Sequence, residues 1–295
     1  MLPFLRWAGG KRKLAELISN CISVPFWHSS NKFYEPFVGG GAVMLHLGDA
    51  ESTKYVEGIR LNINDMNPDL ICAYQVIQKE VEALILKLEI LSKDLSKEKY
   101  YEIRAQQDLE GVERAARFIY LNKTGFNGLW RVNGKGHYNV PWGQLKNPKI
   151  FEPETLRQTS LRLVGATITY ADYRSAVNSA VSSDVVYFDP PYIPLSNSSS
   201  FSQYAMADFG LDEQKQLAET ISVLKSKSVE VILSNSDTEL SREIFGNVLN
   251  LYQIDASRAI AAKASSRGNV KEIIGTTQKI STELLPQEMT PISFC

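Results

Sequence analysis

The sequence predicts an α/β fold, in which a doubly wound sheet carries an inserted helical and hairpin segment. Short apolar, β-branched runs alternate with helical stretches in both end regions of the chain, which is typical of such a sheet. From residue 68 to about 110, leucines recur at helical spacing and no strong strand is visible. The expected strands are 33–36, 59–64, 166–171, 184–188, 229–234 and 250–254, and the best helices between them are 11–19, 41–47, 211–226 and 238–245.

The helical stretch is followed by a segment rich in glycine and asparagine. Within it, the run from Val132 to Tyr138 resembles a hairpin that turns at Asn133-Gly134. The sheet resumes only afterwards, so we expect a second, inserted domain. The expected boundaries are 1–67 with 151–295 for the sheet domain and 68–150 for the insertion.

Composition narrows the class of protein. With 295 residues, 44% hydrophobic and 22% charged, the chain falls in the soluble globular class and is long enough for a sizeable core. No apolar run approaches the roughly 20 residues that cross a bilayer, so no membrane span is expected. Three cysteines without Cys-x-x-Cys spacing and three scattered histidines predict a reducing, cytoplasmic compartment and no metal site.

The strongest chemical signal is the tetrapeptide Asp189-Pro190-Pro191-Tyr192, which follows the apolar run 185–188. Proline lacks an N–H and has a fixed φ, so the Asp189 carboxylate and the Pro190 carbonyl can both face outward as acceptors. Together they could accept both hydrogens of one amino group. Tyr192 offers a flat face for a planar ring, such as an extruded base. A simple Pro-Pro turn at the end of a strand is the alternative.

A second strand end runs into the glycine-rich loop Gly39-Gly40-Gly41, where a backbone can approach a ligand closely. The spacing Gly39-x-Gly41 continues to Met44, so the dinucleotide fingerprint fails at its third glycine and an NAD-type oxidoreductase is a poor interpretation. Asp65 ends the next expected strand. Its carboxylate could hold a ribose hydroxyl or cap a helix.

Two stretches lack acidic residues although the net charge is only -1. Residues 114–149 carry seven Lys or Arg side chains, and residues 256–271 carry four. Such stretches indicate phosphate-contacting surfaces, and the alternative is a solvated basic face without a partner.

Several stretches, in this order, resemble the Dam family of DNA adenine-N6 methyltransferases. The resemblance covers the chain from residue 4 to about 275. The matching stretches are Arg6-Trp7-Ala8-Gly9-Gly10-Lys11, Glu35-Pro36-Phe37-Val38-Gly39-Gly40-Gly41, Asp65-Met66-Asn67-Pro68-Asp69-Leu70, 120–133, 187–196 and Ser234-Asn235-Ser236-Asp237-Thr238. The resemblance implies a Rossmann-like methyltransferase sheet, an inserted DNA-recognition domain, and methyl transfer from S-adenosylmethionine to a flipped adenine in double-stranded DNA. It requires no metal and no second subunit.

The resemblance also implies a set of catalytic and cofactor residues. Asp189, Pro190, Pro191 and Tyr192 would be catalytic. The cofactor pocket would be formed by Trp7, Ala8, Gly9, Gly10, Lys11, Glu35, Pro36, Phe37, Gly39, Gly40, Gly41, Asp65, Asp172, Tyr173 and Asp189.

The implied DNA contacts are spread more widely. Arg131 matches the family's guanine reader, and Arg6 matches a lysine that reads the other end of the site. The full set is Arg6, Lys123, Phe126, Asn127, Leu129, Arg131, Asn133, Lys146, Lys263 and Arg267. The pattern agrees with GATC as the target. Arg6 for Lys and Phe126 for the commoner Tyr depart from the family, as do Trp130 and Gln144-Leu145.

Other functions remain open at this stage. An adenine methyltransferase of a restriction-modification system would share these motifs and read another sequence. Cytosine-N4 methyltransferases usually show Ser in place of Asp189, and glutamine or release-factor methyltransferases usually show Asn. An inactive DNA-binding relative is opposed by the intact catalytic tetrapeptide.

Overall fold

The computed structural model describes residues 2–23, 31–47, 59–146, 148–194, 209–257, 269–281, 283 and 285–292. Eight strands lie in one sheet within these residues: β1 (Lys32–Glu35), β2 (Arg60–Asn64), β3 (Thr167–Thr169), β4 (Val185–Phe188), β5 (Glu230–Ser236), β6 (Asn250–Ser257), β7 (Asn269–Thr276) and β8 (Met289–Pro291). The α-helices are α1 (Ala15–Asn20), α2 (Ala42–Leu47), α3 (Pro68–Ser92), α4 (Lys97–Ala105), α5 (Gly111–Thr124), α6 (Pro153–Arg162), α7 (Tyr173–Val177), α8 (Leu211–Ser226) and α9 (Glu239–Gly246).

The strands are ordered β3-β2-β1-β4-β5-β7-β6-β8. Strands β3, β2, β1, β4 and β5 are parallel to their neighbours, whereas β7 runs antiparallel to β5 and β6, and β8 antiparallel to β6. The six expected strands are confirmed. Strands β7 and β8 were not expected, because β7 begins within a basic stretch whose composition suggested a phosphate-contacting surface.

Strand β4 shows that the sheet is packed on both faces. Val185 and Tyr187 lie in one hydrophobic cluster, whereas Val186 and Phe188 lie in the other. All four are fully buried. A central parallel strand that is covered on both sides reads as a continuous apolar run, and its polar residues appear only where it ends. The fold therefore presents Asp189 at a rigid strand tip.

Between β2 and β3 the chain forms helices α3 to α6 and an exposed turn. Helix α3 begins where the Asn67 carboxamide accepts hydrogen bonds from the N–H groups of Asp69 and Leu70, with Pro68 at the first helical position. After α5, a short 3₁₀ turn covers Phe126–Gly128. Within the described residues, no helix is long and apolar enough to span a membrane.

An antiparallel bridge joins Val132 and Tyr138, as expected for a hairpin. The turn is longer than the expected Asn133-Gly134 pair. The Asn133 N–H donates to the His137 carbonyl at 2.8 Å, and Gly136 takes the left-handed conformation at φ 78°. The Asn133 side chain accepts hydrogen bonds from the N–H groups of Lys135 and His137, and this closes the wider turn.

Candidate active site

The carboxyl ends of β1, β2 and β4 meet at one edge of the sheet. These strands are neighbours and run parallel, so the residues that follow them lie side by side. Glu35 ends β1, Asp65 follows β2, and Asp189 follows β4. Three carboxyl groups that are far apart in the sequence are thereby collected at one edge.

The glycine-rich loop after β1 is held against the end of β2. The Val38 N–H donates to the Asn64 carbonyl at 2.9 Å, and the Gly39 N–H donates to Asp65 Oδ2 at 3.0 Å. The Tyr74 hydroxyl donates to the Gly39 carbonyl at 2.9 Å. A Cβ at Gly39 would lie 2.7 Å from the Trp7 indole, and φ there is +46°. Only glycine fits, because Trp7 lies directly on this loop.

Two carboxyl groups in the loop region have raised pKa values. Burial raises the pKa of Glu35 well above its usual range, and the nearby charge of Asp189 adds to the effect. Glu35 Oε2 accepts a hydrogen bond from the Met44 N–H at 3.1 Å. Burial also raises the pKa of Asp65 to about 6, although hydrogen bonds from the N–H groups of Gly39, Asn67 and Met66 oppose the shift. Asp65 therefore titrates near neutral pH.

Asp189 is bonded on one oxygen by two donors. Lys11 Nζ lies 3.0 Å from Asp189 Oδ1, and the Ser234 hydroxyl donates to the same oxygen at 2.8 Å. Ser234 in turn lies 2.8 Å from the Tyr187 hydroxyl. Tyr187 and Ser234 are fully buried, whereas the Asp189 side chain is 20% exposed. The carboxylate is thus held by the sheet and still open to a ligand.

The Tyr192 ring is held beside this carboxylate. Lys11 Nζ lies 4.5 Å from the ring centroid, and the Tyr192 hydroxyl donates to Glu272 Oε2 on β7 at 3.0 Å. Burial, followed by the charges of Asp189 and Glu272, raises the pKa of Tyr192 well above its usual range. The phenol therefore stays neutral and acts as a donor.

The main chain of the tetrapeptide is fixed from two sides. The Ile193 N–H donates to Asn235 Oδ1 at 3.1 Å, and Gln214 Nε2 donates to the Pro191 carbonyl at 2.7 Å. Asn235 and Gln214 are also bonded to each other. Pro190 is buried, whereas Pro191 is exposed.

Phe37 forms an aromatic wall beside the loop. Its ring centroid lies 5.3 Å from that of Tyr173, 5.5 Å from that of Phe209 and 6.3 Å from that of Phe188. Phe37 is only half-buried, so one side of this wall is open to a ligand. Asp172 caps α7 and pairs with Arg174 at 2.8 Å; the hydrogen bond from Arg174 lowers its pKa.

The remaining expected cofactor residues fall in two groups. Ala8, Gly9 and Gly10 are exposed, and the Gly9 carbonyl accepts a hydrogen bond from Lys11 Nζ at 2.7 Å. Pro36 and Gly41 are buried, with the Pro36 carbonyl accepting from Asn64 Nδ2 at 3.1 Å. Gly40 contacts Trp7: a Cβ there would lie 3.2 Å from the Trp7 Cβ.

Several of the expected DNA contacts cluster near the amino-terminal segment. The stem of Arg6 packs against Gly128, where a Cβ would lie 2.6 Å away from the Arg6 Cβ. Burial, and then the charge of Arg6, lowers the pKa of Lys123 to about 8. The large aromatic side chain of Phe126 is 43% exposed. Asn127 and Leu129 are partly buried beside it.

The other expected contacts lie apart from this cluster. Arg131 is exposed, and its Nε donates to Asn139 Oδ1 at 2.7 Å. Asn133 uses its side chain inside the turn, and Lys146 is exposed. Lys263 and Arg267 lie outside the described residues.

Sequence reasoning assigned no role to Ser234, Glu272, Asn235 or Asn122. Ser234 had a signal that could be used, since the polar triplet Ser234-Asn235-Ser236 begins at the end of the expected strand 229–234. Glu272 had none, because its strand was not expected. Among the described residues, no group of three His, Cys, Asp or Glu side chains is arranged to hold a metal ion.

Comparison with known proteins places these motifs in a family. A family model described as D12 class N6 adenine-specific DNA methyltransferase matches residues 7–260. A type II methyltransferase, M1.LlaDCHI from Lactococcus lactis subsp. cremoris, is 40% identical, with 93% of this chain and 94% of the relative covered. M.MjaIII, a type II methyltransferase from Methanocaldococcus jannaschii, is 38% identical over 90% and 94% of the two chains. A DNA adenine methylase from Haemophilus influenzae is 34% identical over 92% of each chain.

The family model spans most of the chain, and these relatives align with it over nearly their whole lengths. The aligned region includes the strand tip at Asp189 and the glycine-rich loop at Gly39. The resemblance noted from the motifs alone is therefore confirmed, and the chain belongs to the D12 class of N6 adenine-specific DNA methyltransferases.

Proposed function

We propose that this enzyme methylates adenine N6 within GATC in duplex DNA, using S-adenosylmethionine, after the adenine has turned out of the helix. One observation carries the proposal. Lys11 Nζ, a nitrogen donor, lies 3.0 Å from Asp189 Oδ1 and at the same time lies over the Tyr192 ring, 4.5 Å from its centroid. The exocyclic amine of an everted adenine needs the same two interactions: a carboxylate for its hydrogen and an aromatic face for its ring.

The chain's residues fit the methyl donor that its family implies. Half-buried Phe37 offers one open aromatic face, and Asp65 supplies a carboxylate at the same sheet edge. In the proposed complex, Asp65 would hold polar groups of the donor and Phe37 its adenine ring. When bound, S-adenosylmethionine supplies a methyl group activated by a sulfonium sulfur.

The catalytic role of the tetrapeptide follows from the chemistry of the amine. The lone pair of an aromatic amine is delocalised into the ring, which makes the nitrogen a poor nucleophile. Acceptance of its two hydrogens by Asp189 and the Pro190 carbonyl would draw the nitrogen toward sp³ geometry and free the lone pair. After transfer the nitrogen carries one proton in excess, and Asp189 Oδ is the acceptor placed to remove it. Tyr192 would hold the ring in line.

Methyl transfer from labelled S-adenosylmethionine to matched duplexes with and without GATC tests the proposal. We expect labelling only of the GATC duplex, and a loss of about a thousandfold in kcat for Asp189→Ala, since a positioned acceptor contributes roughly that much. An exposed carboxylate on α8 provides the control, Glu219→Ala, which should leave kcat unchanged. Equal labelling by wild type and Asp189→Ala would refute the catalytic assignment. Comparable labelling of the GATC-free duplex would refute the specificity.

Base eversion has its own measurement. With 2-aminopurine in place of the target adenine, unstacking raises fluorescence, so we expect an increase on binding that is larger with Tyr192→Ala than with wild type, because the stacking ring quenches the everted base. A spectrum that does not change on binding would contradict eversion.

A second function has support from the comparisons. The two relatives named type II methyltransferases are 40% and 38% identical, against 34% for the DNA adenine methylase of Haemophilus influenzae. The enzyme would then belong to a restriction-modification system and read another sequence. Mapping of methylated adenines in DNA from cells that express the enzyme distinguishes the two functions. The methylated adenines would lie within GATC in the first case and within another sequence in the second.

A further inference from the structure

We propose that Asn122 is a positioning residue that holds Arg6 and the turn at 126–129 in one arrangement, and that sequence discrimination depends on it. The inference rests on the proposed role of these two segments in reading DNA. Asn122 contacts neither the catalytic carboxylate nor the glycine-rich loop through any of its hydrogen bonds in the described structure. It would act through the segments that it joins.

The Asn122 side chain makes three hydrogen bonds from a fully buried position on α5. Its Oδ1 accepts from the Arg6 N–H at 2.9 Å, and its Nδ2 donates to the Arg6 carbonyl at 2.7 Å. The same Nδ2 donates to the Gly128 carbonyl at 3.0 Å. One planar amide therefore satisfies both main-chain groups of Arg6 and one of Gly128, and its rigidity fixes their separation.

The two segments that Asn122 joins are also in direct contact. Gly128 has φ +64°, and a Cβ there would lie 2.6 Å from the Arg6 Cβ. Beside them, burial lowers the pKa of Lys123, and the charge of Arg6 adds to the effect, so two cations lie near this contact. The Asn122 bonds therefore hold the main chain of Arg6 close to a second positive charge that would otherwise repel it.

The hairpin that follows the turn at 126–129 is held by contacts of its own. The Tyr138 hydroxyl lies within hydrogen-bond distance of two carbonyls, those of Leu121 at 3.3 Å and Leu129 at 3.2 Å. The Tyr138 ring also packs 4.4 Å from that of Trp130. A change at Asn122 therefore leaves the hairpin attached and alters mainly the spacing between Arg6 and Gly128.

Asn122→Asp tests the inference with a nearly isosteric change. The carboxylate keeps an acceptor for the Arg6 N–H, loses both donors, and faces two carbonyl oxygens. The measurement is kcat/KM on a duplex that carries the site methylated by the wild type, as mapped on treated DNA, and on duplexes with one base pair of that site changed. We expect the ratio between cognate and altered duplexes to fall about tenfold, roughly the discrimination supplied by one well-placed base contact.

Two further readouts separate positioning from a general structural role. The affinity for S-adenosylmethionine should stay within about twofold of wild type, because the glycine-rich loop has its own bonds to Asp65 and Tyr74. The matched control is Asn250→Asp at the start of β6, where the carboxamide likewise donates to two carbonyls, those of Thr276 and Thr277. It should lower thermal stability and leave the discrimination ratio unchanged.

An unchanged ratio in Asn122→Asp, or a loss of cofactor affinity that equals the loss of activity, would overturn the inference. If Asn122→Asp fails to fold, Gly128→Ala decides, since it pushes the same segments apart and leaves the amide intact. Failure of both variants to fold would make the contact structural and the inference wrong. Methylation at a site other than GATC would refute the proposed specificity alone, because this test is run at whichever site is mapped.

Discussion

The strand tip at Asp189 and the hairpin around Arg131 hold their polar groups in opposite ways. At the tip, Ser234, Tyr187 and Asn235 are fully buried and bonded through the sheet. At the hairpin, residues 131–137 are all exposed, and the Arg131 side chain makes a local hydrogen bond to Asn139. In the proposed mechanism, the geometry of the chemical step would therefore be fixed before DNA arrives, whereas the side chains proposed to read DNA could adjust to it. Changes in the first region should lower kcat, and changes in the second should alter discrimination or affinity.

The sharpest test of this difference is Ser234→Ala. The change removes one donor to Asp189 and leaves the buried Tyr187 hydroxyl without its partner, so we expect kcat to fall tenfold to a hundredfold, about 1.4–2.7 kcal/mol. Affinity for DNA should be unaffected. The control is Ser19→Ala, an equally buried serine whose hydroxyl donates to the Glu16 carbonyl in α1. An unchanged kcat for Ser234→Ala would contradict the proposal that the Asp189 carboxylate is held in its catalytic position before DNA binds.

Arg131→Ala addresses the other region. We expect a roughly tenfold fall in discrimination against duplexes with one altered base pair, because the proposed bidentate contact to guanine would be lost, and little change in kcat on saturating cognate DNA. Lys135→Ala on the same turn is the comparison. It should weaken binding to all sequences alike and reduce the salt dependence by about one ion. Equal effects of the two substitutions would argue against a reading role for Arg131.

Asp65 tests the tip region through pH. Its pKa is raised from the ordinary value near 3.8 to about 6, so the folded state favours the protonated form, and this contribution to stability is lost as the pH rises from about 3.8 to about 6. Asp65→Asn should weaken S-adenosylmethionine binding about fivefold at pH 7.5, because the charge is lost and the new Nδ2 faces one of the backbone N–H groups that the carboxylate accepts. Wild-type affinity for the cofactor should also fall as pH drops through 6, and that of the variant should not. Titration calorimetry across pH 5–8 measures both, and parallel pH curves would contradict the assignment.

The smallest effect is expected for Lys123. Its pKa is lowered to about 8, so the ammonium begins to lose its charge above neutral pH, and DNA affinity should decline about threefold between pH 7 and 9. Lys123→Arg keeps the charge throughout this range. The DNA affinity of this variant should therefore not change between pH 7 and 9. A decline as steep as that of wild type would show that another group titrates.

The central strands of the sheet could be predicted from the sequence because they are covered on both faces. Runs such as Val185 to Phe188 carry no polar residue until the strand ends, so a continuous apolar pattern marks both the strand and its tip. Strand β7 escaped detection because its charged residues Lys271 and Glu272 break that pattern. Glu272 accepts a hydrogen bond from the Tyr192 hydroxyl, a contact between distant parts of the chain that the local pattern does not indicate.

The motifs of the candidate site could be predicted from the sequence, whereas the contacts between their side chains could not. Lys11 was expected to line a cofactor pocket together with Asp189, and the contacts of its ammonium with the Asp189 carboxylate and the Tyr192 ring were not indicated by the motif. Local sequence cannot indicate which of several strand ends a flexible side chain will reach. Asn122 shows the same difficulty. It lies in the last turn of α5, directly after the apolar run Phe118 to Leu121, and its partners, Arg6 and Gly128, depend on how the amino-terminal segment packs.

The Tyr192 ring lies between Lys11, from the amino-terminal segment, and Glu272, from β7. A polypeptide that stops before β7 would lack the Glu272 acceptor, so the Tyr192 hydroxyl would lose the hydrogen bond that fixes it. The orientation of this ring therefore depends on a strand made late in synthesis.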